Sequence, residues 1–221
     1  MSVVTLEQVK SDPEVRTYVE CANQYLGALG FTEHGLRHVA LVAQIGHSVL
    51  SHLNLPEREQ ELVAIAGYLH DLGNVISREN HGQTGALLAW QILHRLGMTP
   101  DELALVASAI GNHEEQYGQP VNHVAAGLIL ADKSDVHRTR VRNRDVARFD
   151  IHDRVNYAVD HSFVRVDAER RTIALQLHID TSISPVMDYF EIFLTRMIMC
   201  RRAAAFLGCE FQLDVNGSRL V

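Results

Sequence analysis

The sequence predicts a mainly α-helical protein with a small α+β appendage at its C-terminal end. Through residues 1–145, apolar side chains recur every three to four positions, which is the spacing of helices that face a core. Residues 172–179 instead alternate apolar side chains with mostly polar ones, as a half-buried strand does. A segment of helical periodicity follows, from about residue 184 to residue 208. We therefore expect a helical bundle followed by a smaller mixed unit.

Glycine, proline and capping residues divide residues 1–145 into separate helices. A proline at the first helical position has the φ angle that a helix needs, and a Ser, Thr, Asp or Asn before it can cap the free N–H groups. Thr99-Pro100-Asp101-Glu102 has both features and is predicted to form a capping box. The predicted helices run from Asp12-Pro13 to Gly30, from Thr32 to about Leu53, from Pro56 to His70-Asp71, from His81 to Gly97, from Thr99 onward, and from Pro120 toward Arg142.

The predicted appendage covers residues 146–221 and consists of a β-hairpin, a long helix and a short strand. Alternating apolar residues and a polar turn indicate the hairpin, and a proline start with a glycine end indicates the helix. The hairpin pairs residues 155–166 with 172–179 around a turn at 167–170. The helix runs from Ser184-Pro185 to Gly208, and its apolar stripe consists of Met187, Phe190, Leu194 and Ile198. The strand contains Phe211, Leu213 and Val215.

Composition and charge disfavour several classes of protein. The net charge of −7 argues against a general nucleic-acid binder, because phosphate backbones select basic surfaces. No apolar run approaches the ~20 residues that span a bilayer, and the N-terminus lacks the pattern of a signal peptide. The three cysteines are odd in number and lack metal-ligand spacing, which suits reduced thiols. We therefore expect a cytoplasmic protein without membrane contact, for which a homodimer is possible.

Histidine is unusually frequent, and its placement beside carboxylates predicts a metal site. The chain has 13 histidines, and histidine is the commonest metal-ligating side chain. His70-Asp71 ends an apolar helix, where a buried charge is costly unless it is paired or bound to a metal. Other polar residues also interrupt apolar helices, and side chains from several helices can converge in the core of a bundle. The candidate metal ligands are His38, His70, Asp71, His81, His113 and Asp132.

The order His, His-Asp, His, His, Asp resembles the dinuclear branch of the HD superfamily over about residues 32–142. Its most specific matches are Leu69-His70-Asp71-Leu72-Gly73 and Ala131-Asp132-Lys133. The segment that begins at Ala131 is similar to one in bacterial symmetrical diadenosine-tetraphosphate hydrolases, which carry an acid and an arginine at the places of Asp135 and Arg138. One departure is Asn74, because many relatives have a lysine there that is suited to contact phosphate.

The resemblance implies that residues 1–145 form an HD-type helical domain that binds two divalent metals. A hydroxide shared by the metals would attack phosphorus, with Asp71 and His70 as the catalytic residues. An imidazole-rich ligand set favours iron or manganese over magnesium, and cobalt, nickel and zinc are also suitable. In the arrangement that the resemblance implies, Asp71 bridges the metals, His38, His70 and Asp132 hold one of them, and His81 and His113 hold the other.

Four further residues are candidate substrate contacts. Lys133 and Arg138 carry charges that suit phosphate oxygens, although an exposed charge on a helix is as often simply solvated. Asp135 is a candidate because of the same resemblance. His34 lies one predicted helical turn before His38, and a structural or solvent-facing role is the commoner one for such a histidine.

Two other histidines are predicted to lie on the wrong helical face. At 100° per residue, His47 is about 180° around its helix from His38. His123 is likewise about 180° from Asp132 if that helix is continuous. Neither is expected to bind a metal.

The predicted function is metal-dependent hydrolysis of a phosphoester or phosphoanhydride bond in a small, nucleotide-like substrate. Two other functions use the same kind of site. Some HD-superfamily proteins hold two irons and use dioxygen to oxidise an alcohol or a phosphonate carbon, and the ligands alone cannot separate the two classes. A non-catalytic module that senses a nucleotide is also open, although a complete ligand set disfavours it. The Ala-Asp-Lys segment and the arginine that follows it favour hydrolysis.

Overall fold

The computed structural model describes residues 3–221 and contains a helical bundle that carries a four-stranded sheet at its C-terminal end. This confirms the predicted mainly α fold with a small α+β appendage. Short 3₁₀ helices occupy Leu72–Val75, Arg138–Arg140 and Val146–Arg148. The α-helices are α1 (Leu6–Ser11), α2 (Pro13–Ala28), α3 (Leu36–His52), α4 (Glu57–Leu69), α5 (His81–Arg95), α6 (Pro100–Gly111), α7 (His123–Ser134), α8 (Ile151–Ala158) and α9 (Val186–Phe206).

The sheet contains β1 (Val159–Asp167), β2 (Thr172–Ile179), β3 (Glu210–Val215) and β4 (Ser218–Arg219), in that spatial order. The β1–β2 hairpin is antiparallel, as predicted, but residues 155–158 belong to α8 and not to the strand. β3 pairs with β2 in parallel, because α9 crosses over between them and returns the chain to the same end of the sheet.

The helix starts follow the capping residues in some places and not in others. Asp12 caps α2 as predicted, because its carboxylate accepts hydrogen bonds from the backbone N–H groups at positions 14 and 15. The predicted capping box at Thr99 is wrong: Thr99 makes no side-chain cap, and Glu102 instead binds Arg58 at 2.6 and 3.0 Å. α7 begins after Asn122, which accepts a hydrogen bond from Ala125 N at 2.8 Å, and not at Pro120.

Two helix boundaries alter the predicted positions of site residues. α3 begins at Leu36, so His34 precedes the helix instead of lying one turn before His38 within it. α7 ends at Ser134, where the sequence predicted a helix that continued toward Arg142. Asp135 and Arg138 therefore do not follow the helical spacing on which their predicted directions rested.

The buried face of α9 differs from the predicted stripe. Met187 and Leu194 are 72% and 54% exposed, whereas Tyr189, Phe193 and Met197 are buried. Apolar residues occur on several faces of this helix, so more than one set satisfies a spacing of three to four residues. Packing against α7 and the sheet, which periodicity does not describe, selects the face.

Close packing between α3 and α4 brings the first two candidate histidines together. A Cβ atom added at Gly67 would lie 2.9 Å from the backbone nitrogen of Ala43 and 3.0 Å from its Cα. The two helices can approach this closely only because Gly67 lacks a side chain. His38 on α3 and His70 at the end of α4 then face each other.

Buried side chains from Val4 to Val215 form one continuous hydrophobic cluster, with the appendage packed on the bundle. The boundary at residue 145 between two units therefore stays a prediction. Among residues 3–221, the structure contains no helix with both the length and the apolar character needed to cross a bilayer.

We expect Gly67→Ala to lower the free energy of unfolding by about 1–3 kcal/mol, because overpacking forces the α3 and α4 backbones apart. Chemical denaturation of the metal-free protein measures this change. Gly111→Ala is the matched control, because a Cβ there meets only Ala86 Cβ at 3.9 Å. The control should leave stability unchanged or raise it by about 0.4–1 kcal/mol. Equal stability of the two variants would contradict the close-packing argument.

Candidate metal centre

All six candidate ligands converge between helix ends in the core of the bundle. His38 lies within α3, His70 and Asp71 follow the last residue of α4, and His81 is the first residue of α5. His113 comes shortly after α6, and Asp132 lies in the last turn of α7. We call this set the His/Asp cluster; its members are His38, His70, Asp71, His81, His113 and Asp132.

The Nδ1 atoms of the cluster histidines are occupied by acceptors outside the cluster. His70 Nδ1 donates to Gly67 O at 2.8 Å, and His81 Nδ1 donates to Arg78 O at 3.1 Å. His113 Nδ1 donates to the carbonyl of residue 110 at 2.6 Å. A neutral imidazole that donates through Nδ1 holds its lone pair on Nε2. The bonds therefore fix the tautomers with the Nε2 lone pairs directed into the cluster.

These inward-facing nitrogens lie close together in pairs. His38 Nε2 is 3.3 Å from His70 Nε2, and His81 Nε2 is 3.2 Å from His113 Nε2. Burial, together with His70 and His81, holds the pKa of His113 well below its usual value, which keeps that ring neutral. Adjacent lone pairs repel unless a positive centre lies between them, so the arrangement fits divalent metal ions.

Asp71 presents a separate oxygen to each pair of histidines. Its Oδ2 is 3.6 Å from His38 Nε2 and 3.4 Å from His70 Nε2, and its Oδ1 is 3.4 Å from His81 Nε2. Burial alone would raise the pKa of Asp71, but His70 and the other imidazoles hold it well below its usual value. Oδ2 is buried without a hydrogen-bond partner. An anionic oxygen in this state is suited to bind a metal ion.

Asn74, which stands where many relatives have lysine, orients this carboxylate. Its Nδ2 donates to Asp71 Oδ1 at 2.9 Å and to Asp71 O at 3.0 Å. In the sequence, Asn74 is notable only as the loss of a lysine that could contact phosphate. An amide in place of a lysine also leaves the charge of Asp71 unneutralised, which favours a cation in the cluster.

Asp135 lies behind His38, and its role as a substrate contact stays a prediction. Its carboxylate is 2% exposed, and Oδ2 accepts a hydrogen bond from His38 Nδ1 at 2.7 Å and from Arg37 at 2.8 Å. Burial would raise the pKa of Asp135, but Arg140, His38 and Arg37 hold it far below its usual value. A carboxylate behind a ligating histidine fixes the ring and makes its free nitrogen more basic.

Lys133 is buried beside two carboxylates, and its role as a substrate contact stays a prediction. It is 4% exposed, and its Nζ lies 2.7 Å from Asp132 Oδ2 and 3.1 Å from Glu115 Oε1. Burial lowers the pKa of Lys133, but Asp132 and Glu115 raise it above its usual value. The charge of Lys133 is therefore neutralised within the protein, where it anchors Asp132.

Arg138, the other predicted phosphate contact, faces the appendage. Its guanidinium is 3.7 Å from Asp160 Oδ2 and lies over the ring of Tyr157 at 5.7 Å. It belongs to the 3₁₀ helix that follows α7, because the predicted continuation of α7 does not form. Arg138 is not among the residues that line the cavity beside the His/Asp cluster.

A cavity of about 250 Å³ is lined by the remaining predicted contact, His34, and by Arg78, which lie next to the cluster residues His38 and His81. No residue of the cluster itself lines this cavity. The His34 ring is 5.4 Å from that of His38, and its Nδ1 donates to Thr32 O at 2.7 Å. We call this space the arginine cavity, because Arg78, Arg140 and Arg196 also line it. The role of His34 as a substrate contact stays a prediction.

Arg78 and Glu114 are close to the cluster, although sequence reasoning did not select them. Arg78 Nη1 is 3.5 Å from His81 Nε2 and donates to Asn74 Oδ1 at 3.3 Å. Glu114 Oε2 is 3.3 Å from His81 Nδ1, and Glu114 Oε1 accepts a hydrogen bond from Gly82 N at 2.6 Å. The position of Glu114 next to His113 was a usable signal, whereas Arg78 lies in a loop with no pattern.

The two histidines that were predicted to be bystanders lie outside the cluster. His47 is exposed on the outer face of α3. His123 is at the start of α7, where its Nδ1 donates to Glu59 Oε2 at 2.8 Å.

Comparison with known proteins identifies the family. A sequence model of the HD domain matches residues 35–164, which is more than half of the chain and includes the whole His/Asp cluster. The chain belongs to the HD domain family. The similarity to diadenosine-tetraphosphate hydrolases is not among these findings and stays a prediction.

One solved structure that is similar to this HD-domain chain comes from an uncultured Thermotogales bacterium and is described as a predicted HD superfamily hydrolase. It is 22% identical in sequence, and the match covers 56% of this chain and 67% of that one, with a TM-score of 0.45. A search of curated proteins found no match. The family assignment therefore rests on the HD domain match and on the ligand pattern that the chain itself contains.

We expect the purified HD-domain protein to bind about two divalent transition-metal ions per chain, because six ligands are too many for one tetrahedral ion. Asp71→Ala should bring the content below one ion per chain, because its two oxygens face separate imidazole pairs. Elemental analysis after dialysis against manganese or iron measures this. His47→Ala, on the outer face of α3, should keep the full content; loss of metal in that control would contradict the assignment.

Proposed function

We propose that this protein is a metal-dependent phosphohydrolase that cleaves a phosphoester or phosphoanhydride bond of a small, nucleotide-like molecule. The observation that carries the proposal is the position of the His/Asp cluster beside the arginine cavity. The cluster suits divalent metals, and guanidinium groups suit phosphate oxygens. Arg78 connects the two features, because it lines the cavity and approaches His81.

In this proposal the cluster divides into two metal sites that share Asp71. His38, His70 and Asp132 hold one ion, and His81 and His113 hold the other. Support for this division comes from the separate directions of the two Asp71 oxygens. Asp132 Oδ1 also lies 3.5 Å from His38 Nε2 and 3.6 Å from His70 Nε2, on the side of the first ion.

The metals, iron or manganese in this proposal, would activate water and offset negative charge on the phosphate. The residues of the chain bind and orient the substrate. Arg78 donates hydrogen bonds to a phosphate oxygen next to His81. Burial and Arg140 hold the pKa of His34 well below its usual value, so its neutral ring can accept a hydrogen bond from a substrate hydroxyl. The buried cluster excludes bulk water, which strengthens every charge interaction at the reacting phosphate.

A di-iron oxygenase that acts on an alcohol or a phosphonate is the second candidate. The arginine cavity favours an anionic substrate, and a phosphonate meets that requirement as well as a phosphate does. The basic segment from Lys133 to Arg138 no longer separates the two reactions, because Lys133 is neutralised internally and Arg138 faces Asp160. Hydrolysis is preferred because a nucleotide phosphate is an anion that the cavity and the cluster could bind at the same time. Hydrolysis also consumes only water, whereas the oxygenase reaction needs dioxygen as a further reactant.

We expect the manganese- or iron-loaded protein to release phosphate from at least one member of a panel of nucleotides, dinucleotide polyphosphates and simple phosphomonoesters. The rate under strict anaerobiosis should equal the rate in air, because hydrolysis consumes only water. A phosphate assay measures release, and Asp71→Ala is the inactive control. If the panel gives no phosphate, while an alcohol or a phosphonate makes the iron-loaded protein consume dioxygen, the oxygenase function replaces this proposal.

Arg78→Ala should raise the KM for the phosphate substrate roughly 10- to 100-fold, because a hydrogen bond to a charged group contributes about 1.5–3 kcal/mol. Metal content should not change, because Arg78 is not a member of the cluster. Steady-state kinetics and elemental analysis on the same preparations separate the two effects. Arg144→Ala is the control, because Arg144 is an exposed arginine outside the cavity. An unchanged KM in Arg78→Ala would remove Arg78 from the substrate site.

A further inference from the structure

The long helix of the appendage contributes a charge to the group that holds Asp132. Arg196 lies on α9, and its Nε is 2.9 Å from Glu115 Oε1. The same Glu115 oxygen is 3.1 Å from Lys133 Nζ, which is in turn 2.7 Å from Asp132 Oδ2. The charges along this series alternate from positive Arg196 to negative Asp132. An element outside the helices that carry the cluster is thus connected to a candidate metal ligand.

The two oxygens of Asp132 have different surroundings, so the side chain has one orientation. Oδ1 faces His38 and His70, and Oδ2 is paired with Lys133. If Lys133 moved away, rotation of the carboxylate would no longer be opposed on the Oδ2 side. The position of Lys133 therefore determines whether Oδ1 stays directed into the cluster.

Glu115 competes with Asp132 for Lys133, and Arg196 limits this competition. Glu115 Oε1 lies between the two cations, 3.1 Å from Lys133 Nζ and 2.9 Å from Arg196 Nε. Glu115 and Asp132 are only partly buried, with side-chain exposures of 25% and 12%. With Arg196 present, Glu115 has a second cation close by. Without it, Lys133 would be the only lysine or arginine within salt-bridge distance of the two carboxylates.

Arg196 is itself held in place by α9. Its guanidinium lies over the ring of Phe193 at 4.3 Å, and Phe193 is buried one helical turn earlier. This stacking restricts the long side chain, so less entropy is lost when it pairs with Glu115.

We propose that Arg196 is a positioning residue for the metal ligand Asp132, acting through Glu115 and Lys133. The inference rests on the proposed metal site, and it assigns the appendage a part in that site. Removal of Arg196 lets Glu115 draw Lys133 away from Asp132 Oδ2. Asp132 then loses its fixed orientation, and the ion that it binds is held more weakly.

The sign of the effect separates this role from a simple effect of charge. Loss of a positive charge near a cation site makes the site more negative, and on that ground alone it would strengthen metal binding. Loss of orientation weakens binding, and removal of a residue that orients a metal ligand typically costs about 10- to 100-fold in affinity. Weaker binding after loss of Arg196 is therefore the result that only positioning explains.

The test measures Mn²⁺ affinity by calorimetric titration of metal-free protein without substrate. Arg196→Met keeps an apolar stem against Phe193 and removes the charge; we expect its affinity to fall about 10-fold. Arg196→Lys should restore most of the loss. Arg201→Ala, on the exposed side of the same helix, should bind Mn²⁺ like the wild type. Circular dichroism of each variant checks folding, and Arg196→Gln replaces Arg196→Met if the latter does not fold.

A double-variant cycle tests whether Arg196 acts through Glu115. In a Glu115→Gln background no competing carboxylate remains to draw Lys133 away, so adding Arg196→Met should change Mn²⁺ affinity by less than about twofold. Unchanged or tighter binding in Arg196→Met alone, or an equal loss in both backgrounds, would overturn the proposal. A higher KM with unchanged Mn²⁺ affinity would make Arg196 a substrate contact instead.

This experiment is independent of the proposed reaction. If the wild-type protein binds Mn²⁺ but hydrolyses no phosphate, the proposed function fails while the positioning role can still be measured. If hydrolysis is found and Arg196→Met binds Mn²⁺ normally, the positioning role fails alone.

Discussion

The structure depends on the burial of four imidazoles whose Nε2 atoms face each other in the core of a helical bundle. Three of these rings donate through Nδ1 to backbone carbonyls three residues earlier, and the fourth donates to Asp135. The donors fix the tautomers, and the tautomers direct the lone pairs inward. A divalent cation would relieve the repulsion between these lone pairs, so the arrangement suits a metal centre. The close approach of α3 and α4 at Gly67 and the orientation of Asp71 by Asn74 both serve this arrangement.

Most of the helical fold could be predicted because the residues that start and end helices act locally. Asp12-Pro13 starts a helix, and the glycines after helices end them, through contacts within one helical turn. In the structure, helices begin and end close to these residues. The cluster was predictable for a related reason, because a polar residue within an apolar helix is visible without knowledge of its neighbours. The HD resemblance, which the family match confirms, specified the same residues.

What the sequence could not predict depended on contacts between distant parts of the chain. Asp135 and Lys133 have charges suited to a substrate, but Arg37 and Glu115 bind them from other segments. The stripe chosen for α9 satisfied the helical spacing as well as the buried face does, and only the packing partners distinguish the two. No sequence pattern marks Arg78, because its proposed role depends on its proximity to His81 in the folded protein.

The parallel pairing of β2 with β3 has a consequence for the order in which the site is completed during synthesis. All six cluster residues lie before position 133, so the ribosome has made them long before α9. α9 connects two parallel strands and packs directly against α7, so this contact forms only after residues 186–206 have been made. The helices around the cluster can therefore assemble early, while the last ion pair beside Asp132 waits for residues near the end of the chain.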